Sequence, residues 1–285
     1  MVTPEAEGNN SPSLRIPSQS DRKILNPPPI LLYHKITRGW DVSVTLTSPK
    51  ALRSQMKQLF NAGWRGIPLR EWTGGEKDFV IAFDDGYQCI ADFALEILNE
   101  FGFRASVFFP TGYLGRTNDW DHQVYGLKFR HLDKAGLKRL VEAGWELGSH
   151  TVSHLSLIDL DKDKIDNELV SSKKVLEDIA GQKVESISFP FGRYDNNVID
   201  RAIHAGYRLG LAPRLIQNVS CSDKFKLYEA DAVYMWDRMV NLEGRLRREG
   251  FLYSMGRRFR KIVNRASAGT VIYQRMSSIG RKTLP

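Results

Sequence analysis

The chain has 285 residues, of which 42% are apolar and 26% are charged. These proportions are close to globular averages, which excludes a wholly disordered protein, and the length suits an α/β barrel built as one unit. The two cysteines, Cys89 and Cys221, are too few for a disulfide framework. No stretch of the sequence approaches the run of about 18 apolar residues that predicts a transmembrane helix.

The formal net charge of +8 is concentrated near the carboxyl terminus. Residues 238–285 contain 12 Lys and Arg against 2 Glu, a charge of +10, which leaves −2 for the rest of the chain. Residues 1–28 are rich in Pro, Ser and Asn, which is typical of a disordered or loosely packed tail. We therefore predict three regions: a tail at 1–28, a folded body at 29–237 and a basic extension at 238–285.

Within the body, apolar runs alternate with stretches of helical periodicity. The first strand is predicted at 30–34, and the first helix begins after Ser48, a favourable N-cap, and ends at Gly63. Further strands are predicted at 66–69, 79–83, 105–109, 146–149, 186–189 and 208–212, and further helices at 90–101, 134–143, 162–179 and 197–205. This alternation indicates an α/β fold with a parallel sheet, and about seven units predict a distorted (β/α) barrel.

Two polar segments follow predicted strands. The apolar run 79–83 is followed by Asp84 and Asp85, and burying two adjacent carboxylates is costly unless a cation compensates at least one of them. His150 and His154 are four residues apart, a spacing that lets both rings face one ion. Two His and one carboxylate with open positions form a recognised site for a divalent metal.

Each segment also has an ordinary structural explanation. An Asp-Asp-Gly sequence is most often a turn, and two His four residues apart arise by chance in roughly one such chain in ten. A turn that directly follows a buried strand, together with the His pair, is less generic. The combination therefore predicts a metal-dependent hydrolase.

Three segments resemble the motifs of one family in the expected order. Residues 82–86, Ala-Phe-Asp-Asp-Gly, resemble the first motif of the polysaccharide deacetylases, the NodB-homology carbohydrate esterases. Residues 149–154, Ser-His-Thr-Val-Ser-His, resemble the second, and residues 188–192, Ser-Phe-Pro-Phe-Gly, are similar to the third. The resemblance spans about 30–212 and implies a hydrolase that removes N-acetyl groups from the amino sugars of a polysaccharide or glycoconjugate. It makes 29–237 the catalytic domain.

The resemblance also implies a role for individual residues. The implied metal ligands are Asp85, His150 and His154. The ion would be Zn²⁺, with Co²⁺, Ni²⁺ or Fe²⁺ as alternatives. Asp84 would be the general base that accepts a proton from the attacking water. The backbone N–H of Phe191, in the turn that begins at Pro190, would stabilise the oxyanion.

The sequence departs from the family pattern at two places. Ser188 stands where many members carry an Arg that orients the catalytic carboxylate. The usual acid His near the carboxyl terminus is missing, because no His follows His204. The strand at 30–34 resembles the branch that deacetylates biofilm exopolysaccharides, in which the acid His comes early, so His34 is predicted as the general acid. The alternative is a His that caps a strand end through a hydrogen bond.

The sequence also allows a protein that binds carbohydrate without turning it over, although the retained Asp and His residues favour an enzyme. Residues 242–265 combine apolar residues with many Arg, which suits contact with a membrane surface or, slightly better, a helix packed on the barrel. Nucleic-acid binding is not expected. No signal peptide is recognisable, so we expect a cytoplasmic protein or one bound peripherally at the inner membrane face.

Overall fold

The computed structural model describes residues 27–38, 45–119, 128–213, 224–234, 237 and 242–247. Residues 1–26 of the predicted tail lie outside these ranges. The predicted basic extension, 238–285, lies outside them except for 242–247. Cys221 and His122 also lie outside them.

The described strands form one parallel sheet and one small separate pair. The strands are β1 (Ile30–Tyr33), β2 (Lys35–Ile36), β3 (Leu46–Thr47), β4 (Arg65–Ile67), β5 (Asp78–Phe83), β6 (Ser106–Phe109), β7 (Glu146–Ser149), β8 (Ser186–Ser188), β9 (Leu209–Ala212), β10 (Lys226–Glu229) and β11 (Asp231–Ala232). The large sheet runs β10-β9-β8-β7-β6-β5-β1-β11, with β4 beside the first half of β5, while β2 pairs with β3. All of these pairings are parallel.

The sheet is nearly closed by one short stretch of chain. β10 pairs with β9 and β11 pairs with β1, and only Ala230 separates β10 from β11. Residues 226–232 therefore connect the two ends of the sheet. The predicted distorted (β/α) barrel is confirmed, and the seven predicted strands are present with boundaries shifted by at most two residues. β10 and β11, which close the barrel, were not predicted.

The helices cover the outside of the sheet. They are α1 (Pro49–Asn61), α2 (Leu95–Glu100, preceded by a π-helical turn at Ile90–Ala94), α3 (Lys134–Glu142), α4 (Lys162–Ala180), α5 (Asn196–His204) and α6 (Leu242–Leu246). Ser48 accepts a hydrogen bond from the N–H of Ala51 at 3.2 Å and so caps α1, as predicted. Asp161 caps α4 in the same way through the N–H of Lys164. These caps satisfy N–H groups that a helix leaves unpaired at its start.

The core has two layers because side chains alternate along each strand. On β1, Leu31 and Tyr33 face the helices, whereas Ile30 and Leu32 point into the barrel, where they meet Val80 of β5. Both faces of the sheet are thus buried, which explains why its strands read as continuous apolar runs.

The first residues of the basic extension pack on the body. Leu242 and Leu246 of α6 are buried and belong to the main core together with residues of α1. Within the described residues, no helix combines the length and the apolar character needed to cross a membrane.

Candidate metal centre

The strand periodicity brings polar side chains from four strands to one mouth of the barrel. On β5, every second residue points into the barrel: Val80, then Ala82, and next in this series Asp84. His34 continues the series of Ile30 and Leu32 on β1 in the same way. The N–H of Asp84 donates to the carbonyl of Tyr33 at 3.0 Å, so His34 and Asp84 follow adjacent, paired strands. His150 and Ser188 similarly extend the inward sets of β7 and β8. The carboxyl ends of parallel strands are where α/β folds place their chemistry.

Three side chains at this mouth could hold a metal ion. Donor atoms of Asp85, His150 and His154 all lie within 4.8 Å of one another. Oδ1 of Asp85 is 3.3 Å from Nε2 of His154 and 3.6 Å from Nε2 of His150. Ligand atoms placed tetrahedrally about 2.0–2.1 Å from zinc are about 3.3–3.4 Å apart, so the donor set and its spacing fit such an ion.

The loops that carry these ligands adopt left-handed backbone conformations. In the described part of the chain, four residues other than Gly have a positive φ: Asp85 (66°), Thr151 (68°), His154 (54°) and Phe191 (58°). Two of the four are candidate ligands, Thr151 lies in the same loop as His154, and Phe191 lies in the turn after β8. Such conformations are unfavourable for residues with a Cβ and tend to occur at functional sites, where the surroundings enforce them.

Hydrogen bonds fix the orientation of the candidate ligands. Nδ1 of His150 lies 2.7 Å from the carbonyl oxygen of Ser188, which leaves Nε2 to face Asp85. Nδ1 of His131 lies 2.7 Å from the carbonyl oxygen of Asp85 itself. Since a carbonyl oxygen only accepts, both rings donate through Nδ1. For His150 this is the usual arrangement of a metal-binding His, in which a hydrogen bond holds the ring nitrogen that does not bind the metal.

The electrostatics of the ligand set favour a bound cation. Burial alone would raise the pKa of Asp85, but the hydrogen bond from His154 and the charges of His154, His34 and His150 bring that pKa well below its usual value. Burial, aided by the neighbouring His154, lowers the pKa of His150 to about 3. A carboxylate and a neutral imidazole are the forms in which these groups bind metals.

Asp84 has the opposite tendency although it is the next residue in the chain. Burial, and then the charge of Asp85, raise the pKa of Asp84 well above its usual value, while the hydrogen bond from Ser188 opposes that rise. Oγ of Ser188 donates to Oδ2 of Asp84 at 3.0 Å. The other oxygen, Oδ1, is buried with no hydrogen-bond partner among the described residues. Asp84 therefore has a free acceptor position beside the ligand set.

The structure brings His34 to the same site. Its side chain is half-buried, and its charge acts on both Asp85 and His150. His131 is fully buried, stacks on Tyr87 with ring centroids 4.7 Å apart, and bonds to the backbone. His204 lies on the outside of α5, where Nδ1 contacts a backbone carbonyl.

The turn predicted to stabilise an oxyanion borders the ligands. Pro190 is buried, and the ring of Phe191 meets the ring of His154 edge-on, with ring centroids 4.8 Å apart. The N–H groups of Gly192 and Arg193 bond within the turn.

Three supporting residues were missed or left without a role by the sequence analysis. Ser188 was noted only as a departure from the family, and neither His131 nor Glu168 was given a role. Glu168 accepts hydrogen bonds from the backbone N–H groups of Val152 and Ser153, in the loop between the two candidate His ligands. No local pattern marks these residues, because each acts through contacts with distant segments.

The mouth of this nearly closed parallel barrel thus brings together two His and two dissimilar carboxylates, three of which could hold a metal ion. Residues 72–210 match the family model described as polysaccharide deacetylase, which confirms the predicted resemblance and agrees with the predicted hydrolase class. The match includes the three motifs, whereas His34 precedes it.

One curated relative is YxkH of Bacillus subtilis (strain 168), provisionally named a polysaccharide deacetylase. It is 29% identical over 191 residues, which are 64% of this chain and 63% of that protein. The chain therefore spans less than two thirds of the relative's length.

Solved structures of deacetylases share the fold. The Streptococcus pyogenes deacetylase PplD in complex with acetate has a TM-score of 0.58 and 22% identity, covering 66% of this chain and 84% of that one. The polysaccharide deacetylase BC0361 from Bacillus cereus has a TM-score of 0.62 and 22% identity, with coverages of 76% and 67%. IcaB from Ammonifex degensii has a TM-score of 0.61 and 18% identity, with coverages of 74% and 94%. At these identities the likeness concerns the fold.

Proposed function

We propose that this protein removes N-acetyl groups from the amino sugars of a polysaccharide or glycoconjugate by metal-assisted hydrolysis. The observation that carries the proposal is the difference between the two neighbouring carboxylates at the barrel mouth. Asp85 joins two His in a donor set that fits a divalent ion, while Asp84 beside it offers a buried, unbonded oxygen. A site with separate groups for binding the ion and for accepting a proton suits hydrolysis.

In this proposal the ion is held by Asp85, His150 and His154, and zinc suits the donor set best. When bound, such an ion supplies Lewis acidity and lowers the pKa of water towards neutrality. Asp84 accepts the proton of the attacking water through Oδ1, and Ser188 holds its other oxygen. The N–H of Phe191 donates to the oxygen that becomes negatively charged as water adds to the acetamide carbonyl.

His34 completes the reaction by protonating the departing nitrogen. The carbon–nitrogen bond breaks, acetate leaves, and the sugar keeps a free amine. Two features support this role: His34 lies beside Asp84 at the ends of paired strands, and it interacts electrostatically with two of the ligands. Imidazole is the side chain best suited to proton transfer near neutral pH.

A direct test measures bound metal and acetate release from N-acetylglucosamine oligomers with the purified full chain. The wild-type protein should bind about one zinc and release acetate. Asp85→Ala should lose both, because one of three ligands is gone. His34→Ala should keep the metal and lose turnover, with kcat affected much more than KM.

Each outcome bears on a different part of the proposal. Full metal occupancy in Asp85→Ala would refute the ligand assignment. An unimpaired His34→Ala enzyme would remove His34 as the acid. A wild-type protein that binds zinc and the oligomers without releasing acetate would favour a carbohydrate-binding role over catalysis.

The remaining assignments belong to the same proposal. The catalytic domain is placed at about 29–237, and the packing of Leu242 and Leu246 on the core supports adding α6 to it. For the basic residues beyond 247, contact with a membrane surface and a cytoplasmic or peripheral inner-membrane location stay predictions.

A further inference from the structure

The loop that carries both candidate His ligands bends through two unfavourable backbone conformations. Thr151 has a φ of 68° and His154 a φ of 54°, and only Val152 and Ser153 separate them. A left-handed conformation persists at residues with a Cβ only when surrounding contacts enforce it. Something must therefore hold this loop.

The contacts come from a buried carboxylate on α4. Glu168 is 7% exposed, and its Oε2 accepts hydrogen bonds from the N–H of Val152 at 2.7 Å and of Ser153 at 2.9 Å. Its Oε1 accepts a short hydrogen bond from Oγ of Ser153. An ionised carboxylate only accepts, so it matches three converging donors. The bonds fall on the two residues between Thr151 and His154.

One turn further along α4, a second contact holds the start of the loop. Oγ of Ser172 is 2.8 Å from Oγ of Ser149, which accepts a hydrogen bond from the N–H of Thr151 at 3.1 Å. Residues four apart lie on one face of a helix, so Glu168 and Ser172 act on the loop together. α4 thus supports the loop before and after its first strained residue.

We propose that Glu168 is a positioning residue for the metal: it holds the 151–154 loop so that Nε2 of His154 faces Asp85. The inference rests on the proposed metal site and adds a residue that the family motifs do not include. It predicts that removing the carboxylate of Glu168 weakens metal binding, although Glu168 is not itself one of the candidate metal ligands.

The chain offers a matched control in Glu146. This residue is also a buried carboxylate, 4% exposed, that accepts three hydrogen bonds. Its donors are Oγ of Ser106 at 2.7 Å, Oγ of Ser186 at 2.7 Å and the N–H of Arg70 at 3.0 Å. Because Glu146 is at the start of β7 and the candidate ligands follow its end, its removal should destabilise the fold without disturbing them.

The experiment measures Zn²⁺ affinity of the full chain by competition with a chromophoric chelator, together with the melting temperature of the metal-free protein. Glu168→Ala should bind Zn²⁺ roughly 10–100-fold more weakly, the usual effect of losing a group that orients a ligand. Glu168→Gln should lose much less, because its amide oxygen can accept both N–H groups and its NH₂ can donate to Ser153. Glu146→Ala should lower the melting temperature and leave affinity within about twofold.

If Glu168→Ala is too unstable to purify, Ser153→Ala removes one of the three bonds and should weaken Zn²⁺ binding by a smaller factor. Wild-type affinity in folded Glu168→Ala, or an equal loss in Glu146→Ala, would overturn the proposal. A wild-type protein without measurable Zn²⁺ affinity would instead refute the metal site itself, so the two failures are distinguishable.

Discussion

Asp84 and Asp85 show how strongly the surroundings of two identical side chains can drive their pKa values apart. Asp85 faces two imidazoles, and the contact with His154 keeps its pKa low. Asp84 is buried next to the charge of Asp85, so its own pKa is raised. Two titratable groups whose pKa values are driven apart are well suited to separate chemical roles. Here the lowered pKa of Asp85 suits a metal ligand, and the raised pKa of Asp84 makes it the stronger proton acceptor of the two.

Asp84→Asn tests that division of roles. The substitution keeps the size of the side chain and its hydrogen bond with Ser188 but removes basicity. We expect kcat to fall by roughly 10²–10⁴ while bound metal stays at the wild-type level. Turnover close to that of the wild type would mean that another residue accepts the proton.

Ser188 provides a finer test at the same scale. Its hydroxyl bonds to Asp84, whereas its backbone carbonyl bonds to His150. Ser188→Ala should therefore lower kcat roughly tenfold, the effect of one hydrogen bond, and leave metal affinity intact. Ser188→Thr keeps a hydroxyl and should retain more activity.

Ser186 is the matched control for Ser188. It lies two positions earlier on β8, is equally buried, and bonds to Glu146 instead of Asp84. Ser186→Ala should leave kcat nearly unchanged. An equal loss of activity in the two variants would show that the effect of Ser188→Ala comes from general packing.

At the scale of elements, the sequence predicts strands well where both faces are buried. The run at 79–83 is apolar at every position, so its burial and length indicate a strand without knowledge of its partners. β10 is different: Lys226 is exposed and the next three residues are half-buried. β11 has only two residues. Both exist because β9 and β1 offer unpaired edges, and that information is not local.

α6 is anchored by a cluster of ion pairs around Arg245. The basic composition of the segment does not predict this cluster, because it does not distinguish a buried, paired Arg from an exposed one. Arg245 is only 4% exposed. It pairs with Asp231 at 2.8 Å and with Asp237 at 2.9 Å and donates to the carbonyl of Ala232. Arg245 thus ties α6 to β11, the strand that closes the barrel, so this Arg serves the fold and not a solvated face.

Arg245→Ala should destabilise the protein by about 3–5 kcal/mol, because it removes the buried cation that compensates the charges of Asp237, which is buried, and Asp231, which is partly exposed. Denaturant unfolding measures the change. Arg247→Ala is the control: its pair with Glu243 is exposed, and its loss should cost at most about 1 kcal/mol. Similar losses in the two variants would mean that the Arg245 cluster adds nothing beyond a surface pair.

At the scale of the whole molecule, the site was predictable only in part. Asp84, Asp85 and the two His carry recognisable spacing, since motif residues act close to their own strand ends. The contacts that orient them come from far away in sequence: His131 reaches Asp85, and Glu168 reaches the His loop from another helix. Such contacts depend on barrel closure and helix packing, which a single sequence does not specify.

The pH dependence of the stability of the metal-free protein should reveal whether His150 is protonated in the folded state. Its pKa is about 3 in the folded state, so between its ordinary value near 6.5 and pH 3 only the unfolded chain binds this proton. The stability that this group contributes is therefore present above pH 6.5 and is lost as pH decreases. Asp84 acts in the opposite direction, because its raised pKa favours the folded state as pH falls. Comparing two proteins that both retain Asp84 isolates the effect of His150.

We expect the free energy of unfolding, measured in chelator between pH 6.5 and 4, to fall more steeply in the wild type than in His150→Gln. The difference in slope should approach about 1.4 kcal/mol per pH unit, the linkage value for one proton. Gln keeps a side chain of similar reach that cannot take up a proton in this range. Equal slopes would mean that His150 is protonated in the folded metal-free protein, so the metal would have to displace that proton when it binds.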